Sequence, residues 1–545
     1  MSENEIQVNQ SPNGIGSRQG TLVQDHQRTN DETRHGKSRQ RTTGTNGDAN
    51  GNAINGYGNP EKPSFVQSCK DFGVWQTLRK MVQKNFKPER RIGDAPNVVE
   101  SLKAIATCSW LNVLLVCIPV SWALHFAKPD SNVLVFVFSF LAIIPLAKLL
   151  AFATDEMSMR VGQTLAGLLN ATLGNAVELI VAIIAIVKCE LQVVQSSLVG
   201  SILSNLLLVL GMCFFAGGTQ FSEQGFGASA TQINSSLLTI SVIAVLLPAA
   251  FHNAVQGSSL SNGEEKNDIL MMSHGVAVIL LFIYASYLIF QLWSHTHLYE
   301  DKHESNFKST RYEKKDADSV KSGSTGHAGH LSAAVDKITH RFRHSDPAVD
   351  GSEKAVVGAN GEASRAEQQE PEEEEEEKPK MSFPMSIGLL VVVTVFVAVT
   401  AEFLVDSING VTSGSSALSK EWVGLILLPI VGNAAEHVTA VTVSVKDKLT
   451  LSIGVAVGSS IQIALFVIPL MVIIAWGLGK PLLLLFDPFE SVTLFLAVLT
   501  VNYVVQDGKS NWLEGMILMC LYVIIAVCFW FYKGSDVTQA LAMCT

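Results

Sequence analysis

Two carboxylates stand inside long apolar runs, Glu178 and Glu436, and each belongs to one of two near-identical stretches: Gly174-Asn175-Ala176-Val177-Glu178 and Gly432-Asn433-Ala434-Ala435-Glu436-His437. Each is followed by a second shared motif, Val199-Gly200-Ser201 and Val457-Gly458-Ser459, at the same separation of 258 residues. From Gly174 to Ser201, 11 of 28 positions match their counterparts without a gap, which marks a duplicated unit rather than coincidence. A charged carboxylate at the centre of a bilayer costs about 2.5–3.5 kcal/mol on insertion scales. No Lys or Arg lies mid-span to neutralise either one, and Lys148, the nearest, sits close enough to a helix end to snorkel. A bound cation or a bound proton is the economical counter-charge.

The neighbouring residue types suit a hard cation. Asn175 and Asn433 precede their Glu by three residues, which places amide and carboxylate on one helix face. The following helices offer Ser201, Ser204 and Asn205 in one copy and Ser459, Ser460 and Gln462 in the other. All are oxygen ligands, and Ca²⁺ takes about six to eight of these, with two carboxylates matching its double charge. The metal ligands proper are expected to be Glu178 and Glu436. Gly174, Gly200, Gly432 and Gly458 permit broken or closely packed helices that free carbonyls for coordination.

The same pair of acids supplies a coupling mechanism. Without an ion, two carboxylates in a low dielectric repel each other, and protons take the ion's place. Ion and proton then compete for the same oxygens, and competition at an alternately exposed site is exchange. His437, whose counterpart is Leu179, adds an imidazole suited to accept a proton beside Glu436. Proton coupling is therefore placed on Glu178, Glu436 and His437. Asp155 and Glu156 after the second span, and Glu402 and Asp406 in the seventh, are candidates for an access path or for ordinary interfacial charge.

The elements that must position these groups are membrane helices. The chain of 545 residues is 48% hydrophobic and 16% charged, and most of its charge lies in two polar blocks, residues 1–100 and 294–382. Between and after them runs one apolar stretch after another, each long enough to span the bilayer as a helix of about 20 residues. Eleven spans are expected, at about 104–127, 131–154, 161–187, 192–217, 231–252, 269–293, 384–408, 420–446, 449–476, 483–505 and 511–533. The third and eighth carry the Glu motifs, so the chain reads as an all-α polytopic protein with one extra N-terminal helix and two five-helix repeats. An odd number of helices per repeat inverts the second copy, the arrangement in which many secondary transporters place their substrate near the midplane.

Domain limits follow: a disordered tail (1–100), a first membrane unit (104–293), a polar connection (294–382), a second repeat (383–533) and a short tail (534–545). Arg79, Lys80, Lys84, Lys87, Arg90, Arg91 and Lys103 crowd the first helix and predict a cytosolic N-terminus. The polar connection is then cytosolic and the C-terminus lumenal. Its run Glu372–Glu377 reads as a solubilising linker or a collector of divalent cations, and its histidines (His295, His297, His303, His327, His330, His340, His344) are too loosely spaced for structural zinc. Most of the eight cysteines lie in apolar spans as small hydrophobes. No secretory signal core, nucleotide loop or nucleophile constellation is visible, so neither an enzyme nor a nucleic-acid partner is expected.

Taken together, the Gly174–Ile180 and Gly432–His437 motifs, the stretch Ser197-Leu198-Val199-Gly200-Ser201-Ile202-Leu203-Ser204-Asn205 and the polyglutamate run resemble the cation/proton exchangers, vacuolar-type Ca²⁺/H⁺ antiporters of the calcium/cation antiporter superfamily. The resemblance covers about 100–533. It implies an eleven-helix fold and proton-driven accumulation of Ca²⁺, and in part Mn²⁺, in an acidic store such as a vacuole whose membrane also holds a proton pump. No tightly bound cofactor is implied; Ca²⁺ and H⁺ are the cargo. The rival readings are a Na⁺-coupled Ca²⁺ exchanger on the same fold and a passive divalent cation channel.

Overall fold

The computed structural model describes residues 93, 96–255, 262–299, 308–312, 379–413, 418–535 and 544. The N-terminal tail up to residue 92, the Glu372–Glu377 run and the loop histidines His303, His327, His330, His340 and His344 lie outside the described residues.

Apolar sequence that must satisfy its own backbone in lipid folds as helices, and this one does. The first unit comprises α1 (Val98–Thr107), a 3₁₀ turn leading into α2 (Cys117–Ala127), α3 (Asn132–Ser158), α4 (Gln163–Leu173), α5 (Ala176–Val187), α6 (Leu191–Leu203), α7 (Leu210–Gly218), α8 (Ala228–Val255) and α9 (Asn262–Ile289). The second comprises α10 (Phe383–Thr412), α11 (Lys420–Trp422), α12 (Leu428–Gly432), α13 (Ala434–Val445), α14 (Leu449–Gln462), α15 (Ile468–Gly477), α16 (Pro488–Val504) and α17 (Trp512–Trp530). Among the described residues eight helical stretches are long and apolar enough to cross a membrane, or ten when each of two bent pairs, α4–α5 and α11–α13, is counted as one span. Helix α16, with 17 residues, stands where the tenth of the eleven expected spans falls.

The duplication is written into the irregularities of the backbone. Both Glu-bearing spans are broken, by 44° at Gly174–Asn175 and by 57° at Asn433. Gly and Asn are weak helix formers and Asn is a favoured N-cap, so the shared Gly-Asn pair is where a helix ends and restarts. The next span of each repeat carries a π-helical segment at matching places, Ser204–Val209 and Ile463–Val467. The turns that follow the Glu helices hold the two described non-glycine residues with positive φ, Cys189 at 65° and Asp447 at 61°, again 258 positions apart.

Two apolar cores result. One is built around α3 and α10, with Ile143, Leu146, Val397 and Leu404 buried together, and reaches Val177 and Val431. The other joins α6, α7, α14, α15 and α17 through residues such as Leu203, Phe214, Ile461 and Leu518. Helix α5 contributes Val177 to the first core and Ala182 to the second, so Glu178 lies at their junction.

The two ends of the bundle differ. At the end bearing the polar connection, three short strands extend the all-helical expectation: β1 (Phe221–Gly225) lies between β2 (Thr310–Arg311) and β3 (Lys509–Ser510), both antiparallel to it. The fully buried Gln224 of β1 donates to Ser444 O at 2.9 Å, which fastens the sheet to the end of α13. At the opposite end a disulfide joins Cys189, in the turn after α5, to Cys544. Neither cysteine is among those that lie within apolar spans, of which Cys213 is buried in the second core.

The disulfide bridges the two halves across 355 positions. If a protease site is engineered into the connection 313–378 and cut, the halves are expected to migrate as one band without reductant and as two with it. Cys544→Ser should give two bands in both conditions. Two bands from the unreduced wild-type protein would show that the bond does not form.

Candidate functional site

Each broken span stops at its Gly-Asn pair and restarts with Glu in the first turn of the new helix, Glu178 in α5 and Glu436 in α13. A carboxylate there meets the positive end of the helix dipole, which stabilises it where little water can. The glycines serve a second purpose. A Cβ on Gly432 would fall 2.6 Å from Glu178 Oε1, and one on Gly174 would fall 3.8 Å from Glu436 Oε1. Each carboxylate therefore rests on the break of the other repeat, and each lies within the other's electrostatic reach.

Around this crossing, polar atoms are buried without protein partners. Glu178 Oε1, Asn175 Oδ1, both amide atoms of Asn205 and both of Asn433 meet no hydrogen-bond partner among the described residues. Such groups are rare in folded proteins, and a concentration of them calls for something to bind. Of the other expected ligands, Ser459 Oγ donates to Glu436 Oε2 at 2.9 Å, and Gln462 Oε1 accepts from Asn175 Nδ2 at 2.7 Å across the repeats. Ser201 lies beside Glu178. Ser204 Oγ is 3.5 Å from His437 Nε2, which links the imidazole to the opposite repeat.

The hydroxyl of Ser460 donates to Ala456 O at 3.0 Å in its own helix, and its repeat counterpart, Ile202, is buried in the apolar core. The four further acids also separate. Asp155 lines the cavity below, whereas Glu156 is buried and accepts from the backbone N–H groups of Lys380 and Met381, at 3.1–3.2 Å, just before α10. Glu402 and Asp406 sit at the other end of the bundle, against Lys188.

The site communicates with one end of the bundle. A cavity of about 430 Å³ runs from Glu436, Ser459 and Gln462 past Asn170 and Asn234 to Asp155, Thr450 and Tyr299 at the end bearing the polar connection. Toward the opposite end lies a gap of about 30 Å³, lined by Glu178, Ser197, Ser201 and Leu404. Sequence reasoning passes over Asn234 and Gln291 of this cavity, although a polar amide within an apolar span is the available signal.

The asymmetry can be traced to equivalent seams. On the closed side α6 packs tightly on the opposite broken helix: a Cβ on Gly200 would meet Leu425 O at 2.1 Å, and one on Gly424 would meet Ser196 Cβ at 2.8 Å. On the open side a Cβ on Gly458, the counterpart of Gly200, or on Gly454, the counterpart of Ser196, would meet nothing within 4 Å. The counterparts of Leu425 and Pro429, namely Gly167 and Ala171, are cavity walls.

Comparison with known proteins points the same way. The family model described as sodium/calcium exchanger protein matches residues 131–293 and 385–531. The chain is 54% identical over 505 residues to a vacuolar calcium ion transporter of Cryptococcus neoformans var. grubii, covering 85% of this chain and 80% of the relative. It is 39% identical over 420 residues to a Ca²⁺/H⁺ antiporter of Synechocystis, covering 77% and 96%. Among solved structures, the Ca²⁺/H⁺ antiporter protein YfkE superposes with a TM-score of 0.54 at 26% identity, over 77% of this chain and 99% of that one.

The contact of Gly432 with Glu178 can be tested alone. Gly432→Ala should displace the carboxylate and weaken Ca²⁺ binding by about tenfold, or ~1.4 kcal/mol, in equilibrium binding to the purified protein. Gly477→Ala, with nothing within 4 Å, is the control and should bind as wild type. Equal affinity in both variants would show that Glu178 need not rest on Gly432 to bind the ion.

Proposed function

Because the chain belongs to the sodium/calcium exchanger protein family, we propose that it is a proton-coupled antiporter that moves Ca²⁺ out of the cytosol into an acidic, vacuole-like compartment. The observation that carries this reading is the pair of buried carboxylates seated on each other's helix breaks, amid buried oxygens that lack protein partners. The names of the relatives, a vacuolar calcium ion transporter and a Ca²⁺/H⁺ antiporter, support the same cargo and coupling.

In this reading Ca²⁺ is held between Glu178 and Glu436, with Asn175, Asn433, Asn205, Ser201, Ser204, Ser459 and Gln462 filling the shell. Two carboxylates balance its charge, and two protons, or one shared with His437, replace it on the return step. Mn²⁺, also a hard cation, fits the same oxygens. Asp155, on the cavity wall, gathers cations at the approach.

The orientation follows from the sequence and the disulfide together. The basic approach to the first helix puts the N-terminus and the polar connection in the cytosol, so the large cavity faces the cytosol. The Cys189–Cys544 bond then lies on the lumenal side, away from the cytosolic thiol pool that would reduce it. Exchange requires the opposite state, reached when α14 closes on α4 as α6 now closes on α12. Gly454 and Gly458 keep that face flat enough to close.

The decisive assay is radioactive calcium uptake into proteoliposomes with an acid interior. Wild-type uptake should need the gradient and collapse with a protonophore, and Glu178→Gln and Glu436→Gln should each fall to the level of empty liposomes. Uptake driven instead by internal Na⁺ would replace the proton by sodium, and flow only down the Ca²⁺ gradient would make the protein a channel. Gly458→Ala separates binding from closure: Ca²⁺ binding should persist while uptake falls about tenfold or more, since the closed counterpart of this seam leaves no room for a Cβ. Normal uptake by Gly458→Ala would mean that the seam does not close.

A further inference from the structure

The small gap beside Glu178 is sealed by more than packing. Val181 of α5 and Leu404 of α10 line it, and the residues that flank them meet just outside it. Lys188 lies seven residues beyond Val181, on the same face of α5 after two turns. Its Nζ is 3.1 Å from Glu402 Oε1 and 3.0 Å from Asp406 Oδ1, two carboxylates spaced one turn apart on α10 with Leu404 between them in sequence. The next residues repeat the pattern. Asn409 of α10 donates to Glu190 Oε1 at 2.5 Å, and Glu190 Oε2 is 3.0 Å from Lys420 Nζ. The α5–α6 turn is thus tied to α10 on one side and to the start of the second broken span on the other. Hydrogen bonds donated to both carboxylates raise the pKa of the Lys188 ammonium above its ordinary value.

The internal repeat supplies a comparison within the same molecule. The counterpart of Lys188 is Lys446, after the Glu436 helix at the open end; it is exposed and has no ion pair among the described residues. Thr154 and Glu156 end α3 in the pattern that Thr400 and Glu402 show in α10, yet Glu156 is turned onto the backbone of Lys380 and Met381. The Lys–Glu pair is made where the bundle is closed and is not made where it is open, where Arg160 stands in the place of Asp406.

We propose that Lys188, with Glu402 and Asp406, is the latch of the lumenal gate, and that its release lets the Glu178 side of the site open to the lumen. The proposal rests on the exchange reading, which requires that side to open. Lys188 is a positioning residue that touches no cargo. Partly exposed ion pairs are individually weak, which suits a contact that must break in every cycle. Glu402 and Asp406 accordingly hold the gate in this state, a role that the sequence leaves undivided between an access path and interfacial charge.

The test places a reporter cysteine at Ser197, which lines the sealed gap, and measures its labelling by an impermeant thiol reagent applied from the Lys188 side of reconstituted vesicles. Labelling of the parent protein without the reporter is subtracted, and proton-driven calcium uptake is recorded on the same vesicles. Lys188→Met and the double variant Glu402→Gln/Asp406→Asn should each label several-fold faster, while Lys188→Arg should label at the parent rate. Unchanged labelling in both loss variants, with uptake intact, would overturn the latch. Faster labelling supports the latch even if wild-type vesicles show no proton-driven uptake; that second result would sink the exchange reading alone.

Discussion

The rest of the structure depends on keeping two carboxylates next to each other inside an apolar bundle. Either one alone is costly in hydrocarbon, and the second adds repulsion to desolvation. The fold answers by breaking the helix before each Glu, so that each acid sits at a helix N-terminus, and by crossing the breaks so that each acid rests on the other's glycine. A side chain at position 432 would push Glu178 out of its place, and one at 174 would crowd the carbonyl of Asn170 at the break beneath Glu436. The glycines are therefore a requirement of the charge arrangement, and the broken helices are a requirement of the glycines and asparagines.

Duplication explains how such an arrangement is built, and its imperfection explains how it can work. Two repeats with the same breaks, the same π-helical segments and the same positive-φ turns would give two equal gates. In this conformation one seam is packed to contact at Gly200 and Gly424 while its twin stands open at Gly454 and Gly458. Nearly the same backbone thus supports a closed and an open interface at once. That supports the idea that the two seams exchange states, because each is compatible with the local sequence.

Much of this is legible in the residues. The paired motifs, their common spacing and the apolar runs specify the repeats, the helical class and the two acids, because charge in hydrocarbon and gapless repetition are strong signals that need no tertiary knowledge. The limits of legibility are equally physical. Ser460 groups with the ligands in sequence because it adjoins Ser459, but neighbouring helical residues point about 100° apart, and its hydroxyl turns to Ala456 O of its own helix. Glu156 groups with Asp155 for the same reason and parts from it likewise, one acid toward the cavity and one toward the chain before α10. The pairing of Cys189 with Cys544, and of Lys188 with residues on α10, joins positions more than two hundred residues apart, where local pattern carries no information.

The two halves of the site also differ in a way that side-chain length accounts for. Asn175 reaches across to Gln462, which fixes its amide and leaves Oδ1 free to coordinate. The mirror contact would join Asn433 to Ser204, the repeat counterpart of Gln462. Serine is too short to make it, and Ser204 lies instead against His437. Asn433 consequently keeps both amide atoms unsatisfied, and Asn205, whose counterpart is Ile463, adds two more. The ligand shell is thus anchored on the Gln462 side and adjustable on the Ser204 side, where the imidazole stands. A site with one fixed and one yielding half can hold a divalent ion through its fixed oxygens while protons rearrange the others, so that exchange of cargo does not demand that the whole shell be rebuilt at once.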